Sequence, residues 1–406
     1  MGKNRKFSAR WWAANLHLWL GLASGLVVFI VSITGCIFVF QKEISEVVYR
    51  EKLYVPEGQW SHTLPASTLL EIARKEIGEG VTIRNFTIPT DPRKTWEFMA
   101  FEGGDKDAIT FAGSVKYYQS VHLNPYTGEV TGRTNYLEEF FIIIKYLHWS
   151  LLLNTPYGQP IVGWSTFIFV VLLITGLILW WPKKWNKKQQ QQAFTVKWKA
   201  RFKRLNYDLH NVLGFYLLIP SLILALTGMV WSFQWFKKTV YVAAARTTAA
   251  PGVLKTVSAD SLLLKQQPAA VLSQTALDKA LAEARLILPN AKRFNVLPAA
   301  ADPSAVLKIN GYGHEETYHN RDELQFDQFS GKLLGKRMDI EKNAGEQLVE
   351  ANYDIHIGAI AGLPGKILAF IASLICASLP LTGFLIWWNK RRKHVIIYKP
   401  IIPKHA

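Results

Sequence analysis

Four apolar runs, at about residues 12–40, 160–181, 209–236 and 365–388, dominate the 406-residue chain. None of them contains Asp or Glu. Each reaches the roughly 20 residues that a helix needs to cross about 30 Å of hydrocarbon. A wholly soluble fold is thereby excluded. Disorder is excluded as well, since 13% of the residues are aromatic and such a chain can build a core. Charge then orients the runs. The formal net charge is +17. Segments 1–11, 183–204 and 389–406 carry 4, 9 and 6 of the 47 Lys and Arg, and no Asp or Glu. The rest of the chain holds 28 basic and 30 acidic residues, a net of −2. The excess therefore sits beside the apolar runs, the positive-inside pattern of a membrane protein rather than a nucleic-acid surface. Trp11, Trp12, Trp180, Trp181, Trp387 and Trp388 stand at the same ends, where amphipathic rings favour the interface. Both termini and the middle loop are expected in the cytoplasm, with the two long connecting segments outside. The first run is too long for a signal-peptide core and is not followed by a small-residue cleavage site before Gln41-Lys42-Glu43, so it reads as a retained span.

Self-comparison reveals a parallel repeat. The first run reads His17-Leu-Trp-Leu-Gly21 and then Thr34-Gly35; the third reads His210-Asn-Val-Leu-Gly214 and then Thr227-Gly228. His-to-Gly is 4 and His-to-Thr is 17 in both. Tyr146-Leu-His148 precedes Thr175-Gly176 and Trp180-Trp181, as Asp354-Ile-His356 precedes Thr382-Gly383 and Trp387-Trp388. The connecting segments repeat too. Segments 66–78 and 275–287 are amphipathic helix patterns. Alternating strands follow at 81–88, 95–101 and 116–123, and at 291–297, 304–309 and 315–328, before turn signatures ending at Gly128 and Gly331. The chain thus divides into 1–40 (first span), 41–146 (outer domain), 147–182 (second span), 183–207 (basic loop), 208–236 (third span), 237–353 (outer domain), 354–388 (fourth span) and 389–406 (basic tail).

These residues carry a resemblance. The unit LH-x-x-LG…TG, the outer segment ending NPYTGEV and the closing TGLILWWPKK resemble the PepSY-associated transmembrane family over nearly the whole chain. That family includes iron-regulated inner-membrane proteins and reductases of ferric siderophores. The resemblance implies a four-helix transmembrane bundle with b-type haem in the bacterial inner membrane, facing two periplasmic α+β PepSY-like domains. Some siderophore-reductase relatives have a further histidine just after the second span. Trp180-Trp181-Pro182 occupies that place here.

Four of the ten histidines lie at span ends in repeated positions. Topology puts His17 and His210 on the cytoplasmic side, and His148 and His356 on the periplasmic side. From His356 to Trp388 is 32 residues, roughly 48 Å as one helix, so this stretch must break. Pro156 and Gly158, and Gly362, Pro364 and Gly365, are the expected breakers. Two same-depth pairs follow, each suited to hold one haem iron by two imidazoles, as electron carriers do. Gly21 and Gly214 share a face with their histidines and would let a macrocycle approach the backbone. Gly35 and Gly228 would do so at the outer depth. One such motif alone would read as helix packing or a snorkelling histidine. The absence of C-x-x-C-H points to two non-covalent haems b.

The other features are plainer. Cys36 and Cys376 read as apolar packing residues. His62, His394 and His405 read as solvated, His122 as a side-face strand residue, and His314 and His319, which flank Glu315 and Glu316, as part of a hairpin surface, with a weak metal or substrate contact as the alternative. The loop 183–207 is too short for a nucleotide-binding domain, so electrons would come from a quinol or a cytoplasmic protein. The expected function is electron transfer to a ferric siderophore or other ferric chelate. The competing expectation is a membrane-anchored module that binds peptides or regulates a peptidase, without redox activity. Ion-coupled transport is disfavoured by spans without carboxylates.

Overall fold

The computed structural model describes residues 8–58, 62–258, 269–299 and 302–397. His405, and the side chain of His394, lie outside the described part. Among the described residues, Ala9–Val39, Thr155–Trp180 and Ala359–Arg391 are long and apolar enough to cross a membrane. The third run differs from the single helix expected for it. Phe202–Tyr216 and Leu218–Ser232 meet at an angle of 67°. Pro220 supplies the cause: it has no N–H to donate, and its ring crowds the carbonyl four residues back. The segment before the bend also contains a π-helical turn, Leu209–Leu213, and His210 lies in it.

The first helix packs on the second and the last, and Leu218–Ser232 packs on the same two. Their outward faces keep large apolar side chains such as Trp19, Leu26, Ile174 and Leu381 exposed, as a lipid-facing surface requires. At one end, Arg10 donates to the carbonyls of Leu179 and Trp181, and Asn206 donates to the carbonyl of Thr382 at 3.0 Å. The beginnings of the first and third runs therefore meet the ends of the second and fourth. This is the end to which the basic segments attach.

The chain breaks before the second and fourth spans, but Pro156 and Gly158, like Pro364 and Gly365, lie in the first turns of the helices that follow, and the breaks come just ahead of them. Phe140–Ser150 stops at Leu151 and Leu152, both with positive φ, and Thr155–Trp180 begins after them. Asn352–His356 stops before Gly358, and a short 3₁₀ turn leads into Gly362–Ile397. In each case a short histidine helix folds back on the start of its span. The contact is backbone to backbone: a Cβ on Gly158 would overlap the Ser150 carbonyl, and one on Gly365 would overlap the Gly358 carbonyl.

At the other end stands one antiparallel sheet of eight strands, in the order β4-β3-β2-β1-β5-β6-β7-β8. Its strands are β1 Ile83–Pro89, β2 Trp96–Gly103, β3 Val115–Leu123, β4 Val130–Asn135, β5 Arg293–Leu297, β6 Val306–Tyr312, β7 Arg321–Asp327 and β8 Leu333–Arg337. Two segments expected to form separate domains thus share a sheet. The seam is β1 against β5, with Phe86 opposite Val296 and Ile88 opposite Phe294. The two amphipathic helices, Ala66–Ile77 and Ala269–Ile287, cover one face side by side. Phe86, Phe98, Phe294 and Phe326 are fully buried in a common core. β4 and β8 had no counterpart in the sequence expectation. Each follows a turn closed by a glycine with positive φ, Gly128 or Gly331, where a side chain would be strained.

Ion pairs join the sheet to the helices. Lys366, in the last apolar helix, pairs with Glu43 at 2.6 Å and Glu316 at 2.8 Å. Lys42 pairs with Glu316 at 2.7 Å, and Lys94 with Glu315 at 2.6 Å. Burial pushes the Glu316 carboxyl up, but Lys366 and Lys42 more than offset this, so its pKa lies below the ordinary glutamate value.

Candidate functional site

The four repeated histidines form two facing pairs. The rings of His17 and His210 are 6.2 Å apart between centroids, at 88°. Those of His148 and His356 are 6.0 Å apart, at 71°. Two imidazoles sharing one metal at about 2.0 Å per bond, each nitrogen about 1.1 Å from its ring centre, would stand about 6.2 Å apart. Both separations fit a single metal held between two rings.

The hydrogen bonds say which nitrogen is available. Nδ1 of His17 lies 3.0 Å from Thr175 Oγ1, and Nδ1 of His210 lies 2.9 Å from Thr382 Oγ1. Nδ1 of His356 lies 2.8 Å from Thr227 Oγ1. Nδ1 of His148 lies 2.8 Å from the Val31 carbonyl and 3.2 Å from Thr34 Oγ1. Each of these threonines spends its own proton on the carbonyl four residues back, at 2.7 or 2.8 Å. The hydroxyl is therefore an acceptor toward the imidazole, and Nδ1 must carry the proton. That leaves Nε2 as a bare lone pair. Among the described residues no hydrogen bond engages Nε2 of any of the four. A neutral imidazole held by its Nδ1–H, with Nε2 free, is the form that ligates a metal.

The glycine after each threonine completes the seat. A Cβ on Gly176 or Gly383 would lie 3.2 Å from Cε1 of His17 or His210. On Gly35 or Gly228 it would lie 3.4 or 3.7 Å from Cε1 of His148 or His356. Gly35 and Gly228 were expected to admit a macrocycle; the contact found at them is with the rings of His148 and His356. The role of the four threonines was not foreseen, although their repeated spacing was the available signal. Gly21 and Gly214 line the cavity beside His17 and His210, with no histidine against them.

Two cavities flank the pairs. The one around His17 and His210 measures about 550 Å³, and the one around His148 and His356 about 610 Å³. Their walls are mostly apolar. Val28 and Phe169 line both and stand between them. Along the first helix, His17 and the Thr34 seat of His148 are 17 residues apart, about 25 Å of rise. Each cavity can accept a flat, largely apolar group with a central metal.

From the sheet-side pair a line of rings leads toward the sheet. Trp231 lies 5.2 Å from His356, Tyr353 lies 6.4 Å from Trp231, and Tyr318 lies 5.2 Å from Tyr353. Tyr318 sits in the loop between β6 and β7. The fully buried Asp354, two residues before His356, accepts from the backbone N–H of Tyr318 and of His319, each at 2.8 Å, and bonds His319 Nδ1 at 2.6 Å. His319 is thus a structural partner of Asp354. Among the described residues no group of three or more His, Cys, Asp or Glu could hold a metal ion. His122 is buried in β3 beside Thr95 and Glu97, and burial lowers its pKa. Cys36 and Cys376 are free and buried.

Comparison with curated proteins gives no match. The family model for the PepSY-associated TM region matches residues 14–390, which takes in all four histidines and the whole sheet. A match of that extent makes the chain a member of the PepSY-associated transmembrane family.

Proposed function

We propose that the chain is a haem-containing electron-transfer protein of the bacterial inner membrane that reduces a ferric chelate, such as a ferric siderophore, on the periplasmic side. The single observation that carries this reading is the repeated seat: four imidazoles, each with Nδ1–H anchored and Nε2 open, facing each other in two pairs at metal-bridging separation. A haem b in each cavity would supply reversible one-electron transfer, and two histidine ligands leave no open position for O₂. His17 with His210, and His148 with His356, would hold the two groups. Thr175, Thr382, Thr34 and Thr227 fix the ring orientations, and the apolar walls exclude water.

The same reading takes the chain as a parallel duplication, with a four-helix bundle and two PepSY-like halves joined across β1 and β5. The basic end faces the cytoplasm, where a quinol or a soluble protein would deliver electrons. The ring contacts from His356 to Tyr318 support the sheet side as the place of delivery. Ferric iron in hard oxygen ligands is held less tightly once reduced, which gives the transfer its use in iron assimilation.

The test is spectroscopic. Purified protein is expected to show two haems b per chain in a reduced-minus-oxidised spectrum. His17→Ala or His210→Ala should remove one, and His148→Ala or His356→Ala the other. With the sheet-side haem absent, ferric-chelate reduction should stop while the remaining haem stays reducible. Unchanged haem content in all four variants would refute the ligand assignment, and full-rate chelate reduction without the sheet-side haem would favour a peptide-binding role.

A further inference from the structure

The sheet-side cavity is lined by one charged side chain, Lys145. It lies three residues before His148 on Phe140–Ser150, so both side chains project from one face of that helix. Lys145 lines the cavity wall with its ammonium 5.6 Å from the centre of the Tyr146 ring, and among the described residues no Asp or Glu reaches ion-pair distance of it. Three other lysines at this end, Lys42, Lys94 and Lys366, hold carboxylates. The equivalent position in the second half, three residues before His356, is Tyr353, which also lines the cavity. The two halves therefore differ at one matched site, and the difference is a cation. The loop-side cavity has a single charged lining residue as well, Lys390.

An ammonium among apolar walls is costly without a counter-charge. The chain itself supplies none. The group that fills such a cavity is expected to bring its own anion.

We propose that Lys145 holds a carboxylate of the cofactor in the sheet-side cavity, and so fixes which edge of the disc turns toward Phe140–Ser150. This rests on the haem reading of the histidine pairs. Haem b suits it because its apolar ring ends in two carboxylates on one edge. A lipid phosphate is the competing partner for the same ammonium, and the experiment separates the two.

The full chain carrying His17→Ala, which confines binding to the sheet-side pair, is depleted of haem and titrated in detergent with haemin and with haemin dimethyl ester. Affinity is read from the absorbance change, without any activity. Lys145→Met should weaken haemin about tenfold, a typical value for losing one charge-assisted contact. Lys145→Arg should restore it. The ester should bind Lys145→Met and its parent alike, and should bind the parent about tenfold more weakly than haemin does. Equal affinity of the parent for haemin and ester would overturn the proposal, and this comparison needs no Lys145 variant to fold. Equal losses of haemin and ester on Lys145→Met would also overturn it, in favour of a lipid or purely structural role. If the His148→Ala variant in the same background still binds haemin as the parent does, the haem reading itself fails, which is a different result from either of these.

Discussion

At the scale of single residues, the repeated unit of chemistry is a threonine–glycine pair on one helix and a histidine on another. The threonine accepts the Nδ1 proton and the glycine leaves space for Cε1. Orientation of a ligating imidazole by such a partner is commonly worth 10- to 100-fold in metal affinity. Thr382→Val keeps the volume and removes the acceptor, so it should weaken the loop-side haem about tenfold in a haemin titration and leave the sheet-side haem unaffected. The Leu379 carbonyl also reaches the His210 ring, which holds the loss near the lower limit. Gly383→Val should do more, because its side chain would occupy the place of the His210 ring and abolish that site. Equal haem affinity in both variants and the wild type would show that the seat does not control ligation. The sequence revealed the histidines, the glycines and their repeated spacing. It did not reveal the threonine's part, because a Thr-Gly pair in an apolar helix has an ordinary packing use, and only the partner helix makes it a hydrogen-bond acceptor for a ring more than a hundred residues away.

At the scale of elements, placement of the sheet-side histidines depends on two fold-back corners. Ser150 meets Gly158 in one half, and Gly358 meets Gly365 in the other. That these stretches break follows from arithmetic on helix length, since an unbroken helix would overshoot the membrane. Where the backbones touch does not. Gly158→Ala inserts a methyl group against a carbonyl and should destabilise the protein by about 1–3 kcal/mol, the usual cost of overpacking. It should lower Tm in detergent and loosen the sheet-side haem, with the loop-side haem retained. An unchanged Tm and intact sheet-side absorption would mean that the corner is not tightly packed. The bend at Pro220 was legible in principle, since proline in a helix interior is a standing signal. Apolar content concealed it, because hydropathy records that a run can cross a membrane and is silent on whether it does so straight. β4 and β8 escaped for the opposite reason: Val130–Asn135 and Leu333–Arg337 are short and polar for strands, and tertiary pairing at the sheet edges makes them extended.

At the scale of the whole molecule, corresponding pieces of the two halves meet face to face: β1 with β5, His17 with His210, His148 with His356. Neither the eight-stranded sheet nor either imidazole pair is complete within one half of the chain. Repeat spacing showed that the halves are alike but could not show that their edge strands join, because an edge strand able to pair with a copy of itself reads like any other strand. Charge distribution is the other property that exists only at this scale. All 19 clustered Lys and Arg belong to segments that attach at the end away from the sheet. The positive-inside rule therefore sets the expected orientation, with that end in the cytoplasm and the sheet outside. A reporter that works only in the periplasm should therefore be active when fused near residue 100 or 300, and inactive at residue 190. Replacing the nine basic residues of 183–204 with Gln should weaken the preference without inverting it, since the N-terminal and C-terminal segments keep ten between them. A periplasmic signal from residue 190 in the unaltered chain would reverse the orientation, place the sheet in the cytoplasm, and turn the side proposed to deliver electrons into the receiving one.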